Sequence, residues 1–226
     1  MDFKKNMKIL SSKVESLLPQ LETEEATKTA IILPFLQIIG YDIFDPTIIV
    51  PEYTADIGIK KGEKVDYAIL ENGEVAMLVE CKHHKQTLTH HNSQLFRYFA
   101  ATKTRFALLT NGIIFQFYSD LKAPNIMDES AFFTFDITKI SEYDLDILEW
   151  FHTEYFDIPR VVGVAKQLKY GHDLKKAIHS EFKNPTPEFV KFWINKVYEG
   201  KLTAKAVNDF SPIVLEAIKE FRQTLD

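Results

Sequence analysis

Two strand-forming runs joined by Asn72-Gly73 constrain this chain more than any other feature. Lys64 to Leu70 is apolar and β-prone, and Val75 to Val79 resumes the pattern. Asn-Gly between such runs is the strongest short hairpin signal. The hairpin carries charge: Asp66 lies on its first strand and Glu80-Cys81-Lys82 ends its second. Asp66 and Glu80 are fourteen positions apart, and Gln94 follows Glu80 by another fourteen. Side chains i and i+2 share a strand face, so Glu80 and Lys82 point together while Cys81 points away. With Asp66 across the hairpin, two carboxylates and one ammonium are expected to converge.

Hard oxygen ligands from two carboxylates suit Mg²⁺ with several waters retained, and such an ion activates water and neutralises charge on a phosphate. A neighbouring ammonium orients the attacking water or steadies the developing negative charge. The acidic pair with Glu-x-Lys, followed by Gln94-Leu95-Phe96-Arg97-Tyr98 as a helical Q-x-x-x-Y, resembles the PD-(D/E)XK nucleases. Within them the chain is most similar to the N-terminal endonuclease domain of type I restriction enzyme motor subunits. The resemblance implies that Asp66 and Glu80 bind Mg²⁺ or Mn²⁺, that Lys82 is catalytic, and that Gln94 and Tyr98 support the site or touch DNA, with Arg97 and Lys85 beside them. Such sites often take a further acid from the upstream helix, for which Glu25 is the candidate and Glu24 its rival. The proline that usually precedes the first Asp is absent, since Val65 stands there.

The net charge of −5 argues against a nucleic-acid enzyme until its distribution is read. From Cys81 to Ser119 there is no Asp or Glu, while Lys82, Lys85, Arg97, Lys103 and Arg105 are all positive. Phosphate binding responds to the local field more than to the total. A second basic run, Arg160 to Lys205, has ten Lys/Arg against four Asp/Glu. Asp120 to Asp157 between them is acidic and is expected to face solvent or a protein partner. The single cysteine allows no internal disulfide, and no N-terminal apolar run resembles a signal peptide or membrane span. A reduced, cytoplasmic protein with no membrane association is the expectation, with Cys81 a small core residue.

The remaining elements follow from periodicity. Phe3, Met7, Leu10, Val14, Leu17 and Leu21 recur at helical spacing. Thr23 caps a second helix that reaches Ile39, is bent by Pro34 and is closed by Gly40. Strands are expected at Ile48 to Tyr53, Lys64 to Glu71, Glu74 to Lys82, Phe106 to Thr110, Ile113 to Tyr118 and Phe132 to Asp136, with a helix from Thr89 to Ala101. The fold class is therefore α/β, a restriction-endonuclease-like mixed sheet in the order α-β-β-β-α-β flanked by helices. Residues 1–140 are assigned to this core and 141–226 to a helical C-terminal extension packed on it, broken near Gly171, Pro185 to Pro187 and Gly200.

Other constellations take plainer readings. His83-His84 and His90-His91 are neighbours on a loop, which does not fix tetrahedral zinc geometry, so they read as exposed histidines beside a phosphate site. Phe189, Trp193, Val197, Val207, Val214, Ile218 and Phe221 read as helix packing. The sequence has no G-x-x-x-x-G-K-[ST] phosphate loop, hence no motor of its own. Two functions remain: a Mg²⁺-dependent endonuclease cutting DNA, of restriction or mobile-element origin, or a nuclease-like fold retained for binding nucleic acid. A helicase/translocase or specificity subunit acting in trans is the protein partner expected in either case.

Overall fold

The strands form where the sequence is β-branched, aromatic or alternating. They are β1 (Ile49–Tyr53), β2 (Val65–Glu71), β3 (Glu74–Cys81), β4 (Phe106–Thr110), β5 (Ile114–Ser119) and β6 (Phe133–Asp136). All six join one mixed sheet in sequence order. The computed structural model describes residues 2–55, 64–88 and 92–224. Every neighbouring pair is antiparallel except β3 and β4, which run parallel. A parallel pair needs a crossover, and α4 (Asn92–Ala101) supplies it. Gly73 at φ +81° and Gly112 at φ +79° turn the β2–β3 and β4–β5 hairpins, as their Asn-Gly pairs predict.

Alternation along the strands divides the apolar side chains between two layers. Tyr67, Ile69, Met77, Val79, Phe106, Leu108, Phe115 and Phe117 join the larger core with Met7 and Leu10 of α1 (Phe3–Leu17). Ala68, Leu78, Ala107 and Leu109 take the other side with Leu95, Tyr98 and Phe99 of α4. Cys81 is buried in the larger core, as alternation predicts.

The helix expected from Thr23 to Ile39 forms in three parts. Thr23 caps α2 (Glu24–Thr27) by accepting from the Ala26 N–H at 3.0 Å. A π-helical turn, Lys28–Ile32, follows and leads into α3 (Leu33–Ile38). Pro34 lies in the first turn of α3 and offers no N–H to the preceding ladder. The predicted bend is thus a widened turn, and Gly40 at φ +97° closes the helix.

By its contacts the chain divides into two units, Met1–Leu168 and Lys169–Asp226. Residues 141–168, grouped by sequence with the helical extension, fall in the first unit. Leu145, Ile147 and Leu148 of α5 (Glu142–Glu149) belong to the same buried cluster as the sheet, as do Val161 and Ala165. The expected break at Gly171 is absent: α6 (Ile158–Lys183) runs through it, a lone glycine being tolerated in a helix. In the second unit, Val190 and Ile194 of α7 (Pro187–Ile194) cluster with Val207 of α8 (Ala204–Gln223). Trp193, Val197 and Phe221, read from sequence as packing residues, are exposed. Among the described residues no helix is long and apolar enough to cross a membrane.

Gly112 carries a constraint that Gly73 does not. A Cβ at Gly112 would lie 2.7 Å from Thr27 Cγ2, whereas nothing lies within 4 Å of one at Gly73. Both alanine variants should lose about 1 kcal/mol to left-handed strain, and Gly112→Ala a further 1–3 kcal/mol, roughly, to overpacking. Urea denaturation of the two variants checks this, and equal losses would contradict it.

Candidate active site

The β2–β3 register pairs Tyr67 with Val79 and Ala68 with Leu78. One step further towards the open end of the hairpin, Asp66 stands across from Glu80. The backbone fixes both. The Cys81 N–H donates to Asp66 Oδ2 at 2.6 Å, and the Lys82 N–H donates to the Thr110 carbonyl at 2.8 Å, extending the β3–β4 alignment past the strand end. Lys82 Nζ then donates to Glu80 Oε1 at 2.6 Å. The expected convergence of Asp66, Glu80 and Lys82 is therefore present.

Glu80 bears the electrostatic strain of this arrangement. Its side chain is only 4% exposed, and Oε2 is buried without a hydrogen-bond partner among the described residues. Burial first and the charge of Asp66 second push its pKa up to about 7, with Lys82 pulling partly back. For Lys82, burial is the largest single influence and disfavours the charged form, but the hydrogen bond and charge of Glu80 together with the charges of Glu24 and Asp66 outweigh it and raise the pKa.

A second lysine, absent from the sequence-derived set, completes the cluster. Lys28, at the start of the π-helical turn, is buried and donates to Asp66 Oδ1 at 2.5 Å and to Glu25 Oε1 at 2.8 Å. Glu24 Oε1 lies 3.5 Å from the same ammonium. Burial disfavours this ammonium, but the hydrogen bonds to Asp66 and Glu25 prevail and lift its pKa above the usual lysine range. Local spacing pairs Lys28 with Glu24 and Glu25 on one helix surface. Nothing in the local pattern marks its bond to Asp66, 38 positions away. As for the upstream acids, the Glu25 side chain is 76% exposed and Glu24 37%. The charge of Glu24 contributes to the field at both Glu80 and Lys82.

The other expected residues separate by burial. Gln94 Nε2 donates to the Lys64 carbonyl, two residues before Asp66, so α4 is tied to the start of β2 rather than to the carboxylates themselves. Tyr98 is fully buried in the α4 core and has no surface to offer DNA. Arg97 and Lys85 are exposed. His84, expected on the surface, is buried, and Asn111 Nδ2 donates to its carbonyl at 3.3 Å. His83 Nε2 lies 3.0 Å from the Leu21 carbonyl, while His90 and His91 lie outside the described residues. Within the acidic stretch from Asp120 to Asp157, Asp120 and Asp128 are buried: Asp120 pairs with Arg105 and Asp128 accepts from the Leu121 N–H. Among the described residues no group of three or more His, Cys, Asp or Glu side chains is arranged to hold a metal ion.

Residues 23–129 match the family described as the type I restriction enzyme R protein N terminus. The likeness covers this stretch, a little under half of the chain. The match begins at the Thr23 cap, spans α2 to β5 and contains Glu24, Glu25, Lys28, Asp66, Glu80, Lys82, Gln94 and Tyr98. A PD-(D/E)XK nuclease-like reading is consistent with this match. No curated protein and no solved structure matches the chain.

The raised pKa of Glu80 sets a pH dependence. A carboxyl whose folded pKa lies above its unfolded value opposes folding once ionised. That opposition is absent below pH 4.5, grows up to about pH 7 and is constant above. In the absence of metal, the parent should therefore lose stability relative to Glu80→Gln, on the order of 3 kcal/mol, as pH rises through this window. Urea denaturation of both proteins with EDTA at pH 4.5 and pH 8 measures it. A difference independent of pH would contradict the assignment.

Proposed function

We propose that this chain is a divalent-metal-dependent endonuclease that hydrolyses DNA phosphodiester bonds in a restriction or mobile-element setting. The observation that carries the reading is the meeting of Asp66, Glu80 and Lys82 at the open end of the β2–β3 hairpin, inside a stretch that matches a restriction enzyme family. The donor set fits Mg²⁺ or Mn²⁺. Two carboxylates suffice for an ion that keeps several waters. Glu80 Oε2, buried and unpartnered among the described residues, is an acceptor for which a cation is the natural complement.

Asp66 and Glu80 would hold the ion, with Glu24 or Glu25 the candidates for a further acid. When bound, the ion supplies an activated water and neutralises charge on the scissile phosphate. Lys82 holds Glu80 in place and offers its ammonium to the negative charge that develops on the phosphate. Gln94 fixes the backbone ahead of Asp66 through the Lys64 carbonyl, and the exposed Arg97 and Lys85 contribute positive field for the DNA backbone. Sequence specificity would come from a partner subunit, and a single buried cysteine suits a reduced, cytoplasmic setting.

One observation favours a second reading, a nuclease-like module that binds nucleic acid or a helicase without cutting. Both oxygens of Asp66 are already engaged, by Lys28 and by the Cys81 N–H, so the cluster is held together without a metal. Incubating the protein with supercoiled plasmid, single-stranded DNA and RNA in Mg²⁺, Mn²⁺ or EDTA separates the two. The endonuclease reading expects DNA cleavage that EDTA abolishes and that Lys82→Ala lowers on the order of 10²- to 10³-fold with DNA binding retained. Metal-independent binding without cleavage would support the module instead.

A further inference from the structure

Lys28 raises a question that the proposed chemistry leaves open. Its ammonium sits against Asp66 Oδ1, where a divalent ion would also have to approach. Three carboxylates surround it in order of increasing distance, Asp66, Glu25 and Glu24, at 2.5, 2.8 and 3.5 Å. The three differ in exposure. The Asp66 side chain is 17% exposed, whereas Glu24 and Glu25 stand at 37% and 76%, one helical turn back. Lysine is a compact charge on a flexible four-carbon stem, able to turn from one acceptor to another without moving its backbone. Its backbone is also held, since Lys28 opens a π-helical turn and the preceding Thr27 lies under the Gly112 turn. Turns of this kind recur at functional sites.

We propose that Lys28 is an internal counter-cation that competes with the divalent ion for Asp66 and is handed over, when the ion binds, to whichever of Glu24 and Glu25 the ion does not take. A divalent ion and an ammonium sharing one carboxylate repel strongly where the effective dielectric is low, so the two do not occupy Asp66 together. In the metal-free protein Lys28 keeps the carboxylates compensated. The apparent metal affinity is reduced by the fraction of molecules in which Lys28 holds Asp66. Lys28 is thereby a residue that sets metal affinity without contacting the reacting phosphate. The inference rests on the metal-binding reading of Asp66 and Glu80.

Two measurements without DNA test it. Calorimetric or spin-resonance titration with Mn²⁺ should give at least about tenfold tighter binding to Lys28→Met than to the parent, by removal of a competitor. In the parent itself, the Lys28 ammonium signal in a nitrogen-15 lysine spectrum should shift when diamagnetic Mg²⁺ saturates the site, as its acceptor changes, a result that needs no variant to fold. Equal or weaker Mn²⁺ binding by Lys28→Met, or a Lys28 signal unmoved by saturating Mg²⁺, would overturn the competition while leaving the metal site intact. Mn²⁺ binding by neither protein would remove the metal-binding reading and this inference with it.

Discussion

A carboxylate buried beside another carboxylate is the constraint from which the rest of this site follows. Glu80 is almost wholly removed from water and stands across the hairpin from Asp66. Burying two like charges is unfavourable unless cations or hydrogen bonds compensate them. The chain supplies both: Lys82 on Glu80, Lys28 on Asp66, and a strand-end N–H on the second Asp66 oxygen. Compensation is incomplete, because one Glu80 oxygen stays unpartnered among the described residues and its pKa rises towards neutrality. Strain of this kind, retained where an apolar pair would be more stable, is characteristic of sites built for chemistry.

The sheet gives that strain a rigid setting. The β2–β3 hairpin aligns the two acids, and the parallel β3–β4 pair anchors the backbone of Lys82 just beyond the last strand residue. The crossover that parallel pairing demands brings α4 over the same side of the sheet, and with it Gln94 to the start of β2. On the opposite side an aromatic core, including Phe115 stacked on Phe135 at 5.0 Å, closes the layer beneath α1 to α3. The charged residues of the cluster on β2 and β3 thus sit at strand ends, where the ladder stops and side chains can meet, while strand centres are apolar.

Strand positions and the acidic trio were legible in the sequence because both rest on local rules. Asn72-Gly73 and Asn111-Gly112 mark their hairpins, and period-two alternation places Glu80 and Lys82 together and Cys81 in the core. What sequence did not disclose depends on tertiary packing. Lys28 reads as an ordinary partner of Glu24 and Glu25 at helical spacing, and only the fold brings it to Asp66. His84 reads as a polar loop residue, yet it is buried in a turn whose carbonyl is held by Asn111. Gly171 reads as a helix break, yet a cost of about 1 kcal/mol relative to alanine is too small to interrupt α6. Residues 141–168 group with the C-terminal helices by their helical pattern, and Leu145, Leu148 and Val161 pack on the sheet as expected of that extension, but these residues belong to the same unit as the sheet.

The proposed endonuclease chemistry requires that Asp66 and Glu80 together bind a divalent cation. Anomalous diffraction from crystals of the protein soaked in Mn²⁺ tests it most directly. A manganese peak is expected within coordination distance of both carboxylates, with Lys28 turned from Asp66 towards Glu24 or Glu25. Crystals fully equilibrated with Mn²⁺ that show no peak there, with Lys28 still bound to Asp66, would contradict it.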